Sequence, residues 1–470
     1  MSEKFSTLVL AAGKGTRMKS SLPKVLHTVC GQSLLVHVLQ AAAKAGAQKH
    51  YVVVGHGREE VLAELEKSGL PFSEVWQKEQ KGTGHAAQMA LPAMAEVEET
   101  ILIINGDGPL LQPETLRSLL AAHQARKADL TLGVMQLEDP TGYGRVLTGS
   151  GGALKKIVEQ KEASAKEQKI NLVNGGVYAV SRKYLATFLP SLKPSAKAQE
   201  LYLTDIVAMG AAKKKKLFAF TMPAEELKGV NDFAQLAEVE EILHQRQRLA
   251  WMKDGVRLEA PATLFADAGV EIGSGTRIGP NVVLHGKTKI GLGATIEAGC
   301  VLKDSVVEGG AEVKAYSHLE GAVVKSGAKV GPFARLRPGS EIGVEARVGN
   351  FVEVKNSRIG SGSKANHLSY IGDTEVGAEV NIGCGFIACN YDGVNKHQTV
   401  IEDGAFVGSG VRAVAPVTIG KDSYVATGST INHSVPAEAL GIARAKQENK
   451  EGYAPRLKAR MLAQKKAKGK

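Results

Sequence analysis

The chain has 470 residues, 43% of them hydrophobic and 23% charged, with 53 glycines and a formal net charge of +11. Such a length exceeds what one hydrophobic core usually serves and implies two or three domains. No apolar run reaches the roughly 18–20 residues that cross a bilayer, and Cys30, Cys300, Cys384 and Cys389 form no CxxC pair. A membrane-spanning helix and a disulfide-stapled scaffold are thereby excluded, and the cysteines read as reduced, cytoplasmic thiols.

Net positive charge raises nucleic acid as a partner, but here it is concentrated. Gly452–Lys470 holds seven Lys or Arg and no acid, leaving only +4 to the rest of the chain. The excess is a tail, read as a solvated, disordered end rather than a contact with nucleic acid or an anionic surface. Phe5–Gly13 imitates the core of a signal peptide, yet its apolar stretch is short and only Lys4 precedes it, so no leader is expected.

From Ser6 to about Asn231, short apolar strands alternate with helical stretches: Thr7–Ala11, Leu34–Lys44, Tyr51–Val54, Arg58–Lys67, Ile101–Ile104 and Pro113–Ala122. That order predicts an α/β domain with a largely parallel sheet and ligands beyond the carboxyl ends of its strands. Later strands are placed near Thr131–Gln136 and Gly176–Val180. Asp232 with Gln235 gives a capping-box-like start, and Phe233, Leu236, Leu243 and Ala250 keep helical spacing until Gly255, predicting a linker helix.

Beyond it, small or aliphatic residues recur every six positions from Ile272 through Ile278, Leu284, Ile290 and Ile296 to Leu302. After five-residue steps the period resumes from Val307, from Val324 and from Ile359. It breaks at Cys389–Val400, read as an excursion loop, and returns from Ile401 to Ile431. Neither a helix nor a single strand sustains a period of six, so this is a β-solenoid whose glycines serve the corners.

Leu10-Ala11-Ala12-Gly13-Lys-Gly-Thr-Arg17-Met follows the first strand and leads to Pro23-Lys24. Glycines let backbone N–H groups approach a polyphosphate, and Arg17 and Lys24 supply positive charge where a transferred phosphoryl group would sit. The string resembles the signature of sugar-phosphate nucleotidyltransferases. By that resemblance the stretch holding Gln77, Gly82 and Thr83 recognises uracil, and Asn105-Gly106-Asp107 is a metal-binding turn. The same resemblance implies that segments at Gly144, Glu159 and Asn174 contact the sugar, that Asp107 and Asn231 are the Mg²⁺ ligands, oxygen donors suiting that hard cation, and that Arg17 and Lys24 are the catalytic residues of this half.

Several residues depart from the blandness of the repeat: Arg337, Lys355, His367, Tyr370 and Asn381, with Cys384, Asn390 and Tyr391 after them. They resemble the acetyltransferase half of the bifunctional N-acetylglucosamine-1-phosphate uridyltransferases, and the likeness runs from about Leu8 to Arg444. A lone solenoid histidine mostly just faces solvent, but His367 in this pattern stands as the general base that frees an amine to attack a thioester. By the same resemblance Arg337 and Lys355 hold the sugar phosphate and Tyr370 and Asn381 orient the sugar. Cys384, Asn390, Tyr391, Ser409, Thr427 and Arg444 lie where acetyl-CoA and neighbouring-subunit contacts fall. The chain departs from the family at Cys384 and Thr427, where alanines are usual, and at Asn105, Gly108 and Gly175.

The resemblance implies a Rossmann-like α/β nucleotidyltransferase domain plus an all-β left-handed parallel β-helix. The divisions are 1–231, a linker helix 232–256, the acetyltransferase β-helix 257–434 and a basic tail 435–470. It implies a cytoplasmic homotrimer that uses Mg²⁺, acetyl-CoA and UTP, acts on glucosamine-1-phosphate and N-acetylglucosamine-1-phosphate, and feeds peptidoglycan and lipopolysaccharide synthesis. Two rivals stand beside it: a single-activity pyrophosphorylase with a regulatory β-helix, and a non-catalytic scaffold like the translation-factor subunits of the same layout. The first makes His367, Arg337 and Lys355 dispensable; the second leaves Arg17, Lys24 and Asp107 without a task.

Overall fold

The computed structural model describes residues 4–97, 100–195 and 197–469. The chain divides into two compact units, Met1–Ala250 with Phe265–Gly269, and Trp251–Leu264 with Val270–Lys470. No helix among the described residues is long and apolar enough to cross a membrane.

The first unit is built on a mixed sheet. Its main path runs Leu217–Thr221, Leu130–Gln136, Leu172–Ser181, Thr100–Asn105, Phe5–Leu10, Ala47–Val54, Phe72–Trp76. Phe5–Leu10 pairs in parallel with Ala47–Val54 on one side and Thr100–Asn105 on the other. The expectation of a largely parallel sheet is amended at Leu172–Ser181, which runs antiparallel to both neighbours, and at the hairpin Arg145–Thr148 with Leu154–Val158.

Central strands are buried on both faces, and their side chains alternate between two cores. Leu8, Ile101 and Ile103 enter one with Ala86, Ala87, Leu185 and Ile206; Phe5, Val9, Leu102 and Ile104 enter the other with Leu35, Val38, Leu39 and Leu116. A period-two strand sandwiched between helix layers explains why these strands read as continuous apolar runs. The helix Leu34–Ala45 starts where Ser33 Oγ accepts from Val36 N and stops at Gly46, whose φ of 109° suits glycine. Because the first strand sends the chain to neighbours on both sides, its carboxyl end is the point at which strand order reverses, the usual place for a ligand crevice.

The helix Phe233–Lys253 begins as its capping residues suggest: Asp232 Oδ1 accepts from Gln235 N at 2.8 Å, while Gln235 Oε1 accepts from Asn231 N at 2.8 Å. It does not stand clear of the first unit. Val239 packs in a small core with Met18, Val29, Leu34, Leu110 and Val230.

The second unit is the solenoid. Strands pair only in parallel, Val283 opposite Val301 and Lys289 opposite Val306, so successive coils are eighteen or seventeen residues apart. The hexad positions from Ile278 to Ile431 all point inward and are buried. Several buried hydroxyls bond across coils, as where Ser357 Oγ accepts from Thr374 N at 2.8 Å and donates to Ile371 O at 3.3 Å, while those of Thr399 and Ser423 find no partner among the described residues. The excursion is confined to Asn390–Gln398, since Cys389 and Thr399 already belong to strands. The tail corrects the expectation of disorder: Tyr453–Ala467 is an exposed helix. Ala, Leu, Lys, Arg and Gln are strong helix formers, and Lys465 and Lys466 sit where the helix dipole favours cations.

Two candidate active sites

At the switch point of the sheet lies a cavity of about 340 Å³, lined by Leu10–Gly13, Lys24, Gln77, Gln80, Gly82, Thr83, Asn105, Asp107 and Glu200 among others. Backbone bonds assemble it: Ala11 N donates to Val53 O and Gly106 N to Leu10 O, each at 3.0 Å. Gly13 opens onto this space, and a Cβ there meets no heavy atom within 4 Å. Gly15 differs. At its φ of 60°, a Cβ would lie 2.5 Å from Lys24 Cβ, so glycine lets Lys24 lie against the loop.

Lys24 Nζ hydrogen-bonds Asp107 and reaches Asn231 Oδ1 at 3.3 Å, and that oxygen also accepts from Arg17 Nη2 at 2.7 Å. Residues from the phosphate-type loop, the turn after Thr100–Asn105 and the start of the long helix thus converge on one point. The side-chain oxygens of Asp107 and Asn231 both face Lys24 Nζ, and two such oxygen donors are the kind that could hold a hard divalent metal. Gln77 is buried, its amide donating to Gly82 O at 3.1 Å and lying 3.0 Å from His85 Nδ1. Gly144, Glu159 and Asn174 do not line the cavity but adjoin one another beside it. Asn174 N donates to Gly144 O at 2.8 Å, and a Cβ on Gly176 would lie 2.5 Å from Asn105 Nδ2. Burial holds Glu159 above the usual carboxylate range, opposed by the Thr204 hydroxyl bond. Sequence reasoning missed Gln80, whose amide donates to Ala12 O at 2.6 Å, and Glu200, which nothing local in the sequence marks.

On the solenoid, two corners of successive coils gather polar and titratable side chains. At one, Asn350 and His367 are register partners, and the ladder continues as Gly385 N donates to Leu368 O, Gly410 N to Cys384 O and Gly428 N to Ser409 O. His367, Cys384, Ser409 and Thr427 therefore form one column, and Arg444 Nη1 donates to Thr427 O at 2.8 Å beyond it. His367 is exposed, with Nδ1 3.4 Å from Asn350 Oδ1. A protonated Nδ1 would donate to that oxygen and leave Nε2 to accept a proton.

At the next corner Lys355 is the register partner of Gly372, so Asp373 comes one residue further along with its N–H donating to Lys355 O, and Arg337 N donates to Val354 O. Lys355 Nζ lies 3.3 Å from Asp373 Oδ2, Asn356 donates to Oδ1 at 2.7 Å, and Asn390 donates to Oδ2. Burial pushes Asp373 up, but these bonds outweigh it and hold the carboxyl below its ordinary value. Lys396 returns from the excursion loop to the neighbourhood of Lys355, which holds it below the usual lysine range, Arg337 adding more weakly, while Lys396 and then Asp373 hold Lys355 above that range. Three basic side chains are thus gathered here, two of them paired with carboxylates, Arg337 with Glu353 and Lys355 with Asp373. Sequence reasoning missed Lys396; its signal is a cation in the insertion that interrupts the repeat.

Tyr370 lies between the two corners, near Lys355, its hydroxyl 2.4 Å from where a Cβ on Gly372 would be. Asn381 is the register partner of Lys364 on the next coil. Tyr391 and Val394 project from the loop, 60% and 84% exposed.

Residues 7–170 match the MobA-like NTP transferase domain and residues 269–304 the bacterial transferase hexapeptide (six repeats). The solved structure of UDP-glucose pyrophosphorylase complexed with UDP-glucose aligns with 52% of this chain and 100% of its own, at 22% identity and a TM-score of 0.44. The bifunctional protein GlmU of Pelobacter propionicus is 44% identical over 457 residues, 97% of this chain and 99% of its own. That of Sorangium cellulosum is 47% identical over 462 residues, 97% of each chain. A likeness that runs through both units at this level leaves one placement: the chain belongs to the family of bifunctional GlmU proteins.

Proposed function

We propose that the chain acetylates glucosamine-1-phosphate with acetyl-CoA on the solenoid and transfers uridylyl from UTP to the product at the sheet, yielding UDP-N-acetylglucosamine and pyrophosphate. The observation that carries this reading is the column of His367, Cys384, Ser409 and Thr427 one corner away from three clustered cations. Coils about 4.8 Å apart put His367 to Thr427 over roughly 14 Å, a track for an extended thioester cosubstrate ending at a base. A regulatory or scaffolding solenoid has no use for that pairing.

In the acetyl transfer, the amine nitrogen of the sugar bonds to the thioester carbonyl carbon and the C–S bond breaks. His367 Nε2 accepts the amine proton, and the CoA sulfur leaves as thiolate and is protonated. Arg337, Lys355 and Lys396 hold the phosphate, and Tyr370 and Asn381 orient the ring. In the uridylyl transfer, a phosphate oxygen of N-acetylglucosamine-1-phosphate bonds to the α-phosphorus of UTP and the bond to pyrophosphate breaks in line. Amides of Leu10–Gly13 and the cations Arg17 and Lys24 face the charge on the transferring group, and Gln77, Gly82 and Thr83 hold the base. Asp107 and Asn231 would hold Mg²⁺, which would supply charge neutralisation on the phosphate oxygens when bound. Glu159, Asn174, Asn105, Gly106 and Gly144 contact the sugar.

The division of labour follows 1–231 and 257–434, with 232–256 between them and 435–470 a basic tail. A cytoplasmic homotrimer fits the exposed Tyr391 and Val394, apolar or aromatic side chains that an assembly would cover; Asn390, Tyr391, Cys384, Ser409, Thr427 and Arg444 then lie along acetyl-CoA and the neighbouring subunit. One assay tests the whole reading: the purified protein is given each substrate in turn, and CoA thiol and pyrophosphate are followed together. Pyrophosphate release without any thiol release returns the solenoid to a regulatory role.

A further inference from the structure

A second cluster lies in the first unit, apart from the nucleotide cavity. Thr28–Val29 and Gln32–Ser33 form a hairpin with Val29 opposite Gln32, so Cys30 and Gly31 are its two-residue turn. Both have positive φ, 48° and 71°. Turns of this kind favour Asn, Asp or Gly at the first position, and a cysteine there costs backbone strain. What the strain achieves is placement. Cys30 N donates to Glu240 Oε1 at 2.9 Å, and Cys30 Sγ lies 3.7 Å from His244 Nδ1 and 3.9 Å from Nε2.

Glu240 and His244 are one turn apart on the long helix, a spacing that puts two ligands on one face. One donor atom from each of Cys30, Glu240 and His244 lies within 4.8 Å of the others, and the cysteine and histidine are buried. Ligands on a tetrahedral ion at 2.0–2.3 Å are roughly 3.5 Å apart, so the sulfur–nitrogen pair is already near coordinating distance. Asp267 crowds the turn from another side: a Cβ on Gly31 would lie 2.4 Å from its carboxyl carbon. Its charge reaches both Cys30 and His244. The one opposing charge acting on them, Arg248, is offset by Glu241 at 3.0 Å. Burial first, then Glu240 and Asp267, push the thiol up to about 12. Nothing in the uridylyl or acetyl chemistry uses these residues.

We propose that Cys30, Glu240 and His244 form a binding site for a divalent metal of borderline softness, of the zinc class, with the Asp267 carboxylate or a water as fourth ligand. Sulfur, imidazole and carboxylate donors select such an ion over Mg²⁺. Rotation of the His244 ring turns one nitrogen towards the ion, and the thiol proton leaves to solvent as the metal–sulfur bond forms, so affinity rises with pH. The bound ion ties the hairpin that follows Lys24 to the helix that starts beside Asn231. It acts as a brace between the two segments that carry uridylyl-transfer residues, not as a catalyst.

The test uses the full chain, stripped with chelator and titrated with Co²⁺ and Zn²⁺ at saturating Mg²⁺. One equivalent of Co²⁺ gives a thiolate-to-cobalt charge-transfer band that Zn²⁺ displaces. X-ray absorption of the Zn²⁺ form shows one sulfur at about 2.3 Å among nitrogen and oxygen ligands. The band survives Cys384→Ser with Cys389→Ser, disappears in Cys30→Ser, and weakens at least tenfold in Co²⁺ affinity in His244→Gln. Zinc with no sulfur neighbour in the wild-type protein, or a band lost with Cys384 and Cys389 instead, overturns the proposal, and both readings stand whether or not Cys30→Ser folds.

Discussion

Two glycines of the same loop separate a role in binding from a role in placement. Gly13→Ala adds a methyl that meets no protein atom within 4 Å, whereas at Gly15, with φ of 60°, the new carbon would lie 2.5 Å from Lys24 Cβ. The first substitution leaves the native backbone unstrained, so stability stays within about 0.5 kcal/mol or rises by the roughly 0.4–1 kcal/mol that alanine removes from unfolded-state entropy. Its methyl does occupy the space a polyphosphate needs against the backbone, and the Michaelis constant for UTP rises at least about tenfold, or 1.4 kcal/mol. The second pays roughly 1–2 kcal/mol for a left-handed alanine and must also displace Lys24 from Asp107 and Asn231. At about 2–4 °C per kcal/mol for a unit of this size, the melting temperature falls by roughly 2–8 °C, and kcat for uridylyl transfer falls while thiol release is untouched. The measurements are thermal melts and steady-state pyrophosphate release for both variants. An unchanged Michaelis constant in a folded Gly13→Ala would remove the backbone from the phosphate site, and an unchanged kcat in Gly15→Ala would detach Lys24 from the chemistry.

Asp107→Ala lowers pyrophosphate release by about 10²–10³ with thiol release near wild type; equal loss of both would show a folding defect. His367→Ala lowers acetyl transfer by roughly 10²–10⁴ with smaller changes in Michaelis constants, and uridylyl transfer does not change. Lys396 is held below the ordinary lysine value, chiefly by Lys355, and a phosphate bound beside it favours its charged form. The Michaelis constant for glucosamine-1-phosphate therefore rises on the alkaline side, and Lys396→Met raises it at neutral pH and flattens that rise. His50 is buried beside the Thr7 hydroxyl, and burial lowers it to about 4. Its depressed folded-state value means that stability is complete above the unfolded value near 6.5 and is lost as pH falls towards 4, by about 3 kcal/mol in total. Denaturant titrations of His50→Gln show a shallower loss over that window, and an identical slope would place the acid sensitivity elsewhere.

What the sequence made legible was whatever lies contiguous in it. The loop from Leu10 to Lys24 is a single string, and the hexad names every inward position from Ile278 to Ile431 because the coil repeats the residue period directly. Asp373 and Glu200 were illegible for the opposite reason: one is defined by coil register and the other by a segment that returns to the cavity far along the chain. The strand Leu172–Ser181, antiparallel to both neighbours, is as apolar in character as the parallel strands of the sheet, so pattern alone could not assign its direction. The brace at Cys30 spans 210 residues to Glu240, and its only local trace is the four-residue step to His244.

The solenoid also shows how a repeat with no chemistry of its own acquires some. The excursion enters after Cys389 and leaves before Thr399, yet Asn381 still opposes Phe406, Ile387 opposes Arg412 and Thr399 opposes Thr374. The insertion thus leaves the core in register on both sides and costs little more than the entropy of closing a surface loop. What it adds is a reach that no hexad position has. Asp392 is tied down by Asn395 and Val394 N–H groups and by His397, which stiffens the loop where Lys396 folds back to Lys355. A regular coil can align side chains only in columns, each fixed at its own corner. In the proposed acetyl transfer a corner column gives the line along which a long thioester would lie, and the loop brings a third basic side chain towards a compact phosphate; the two demands of that reaction would then be met by the repeat and by its interruption.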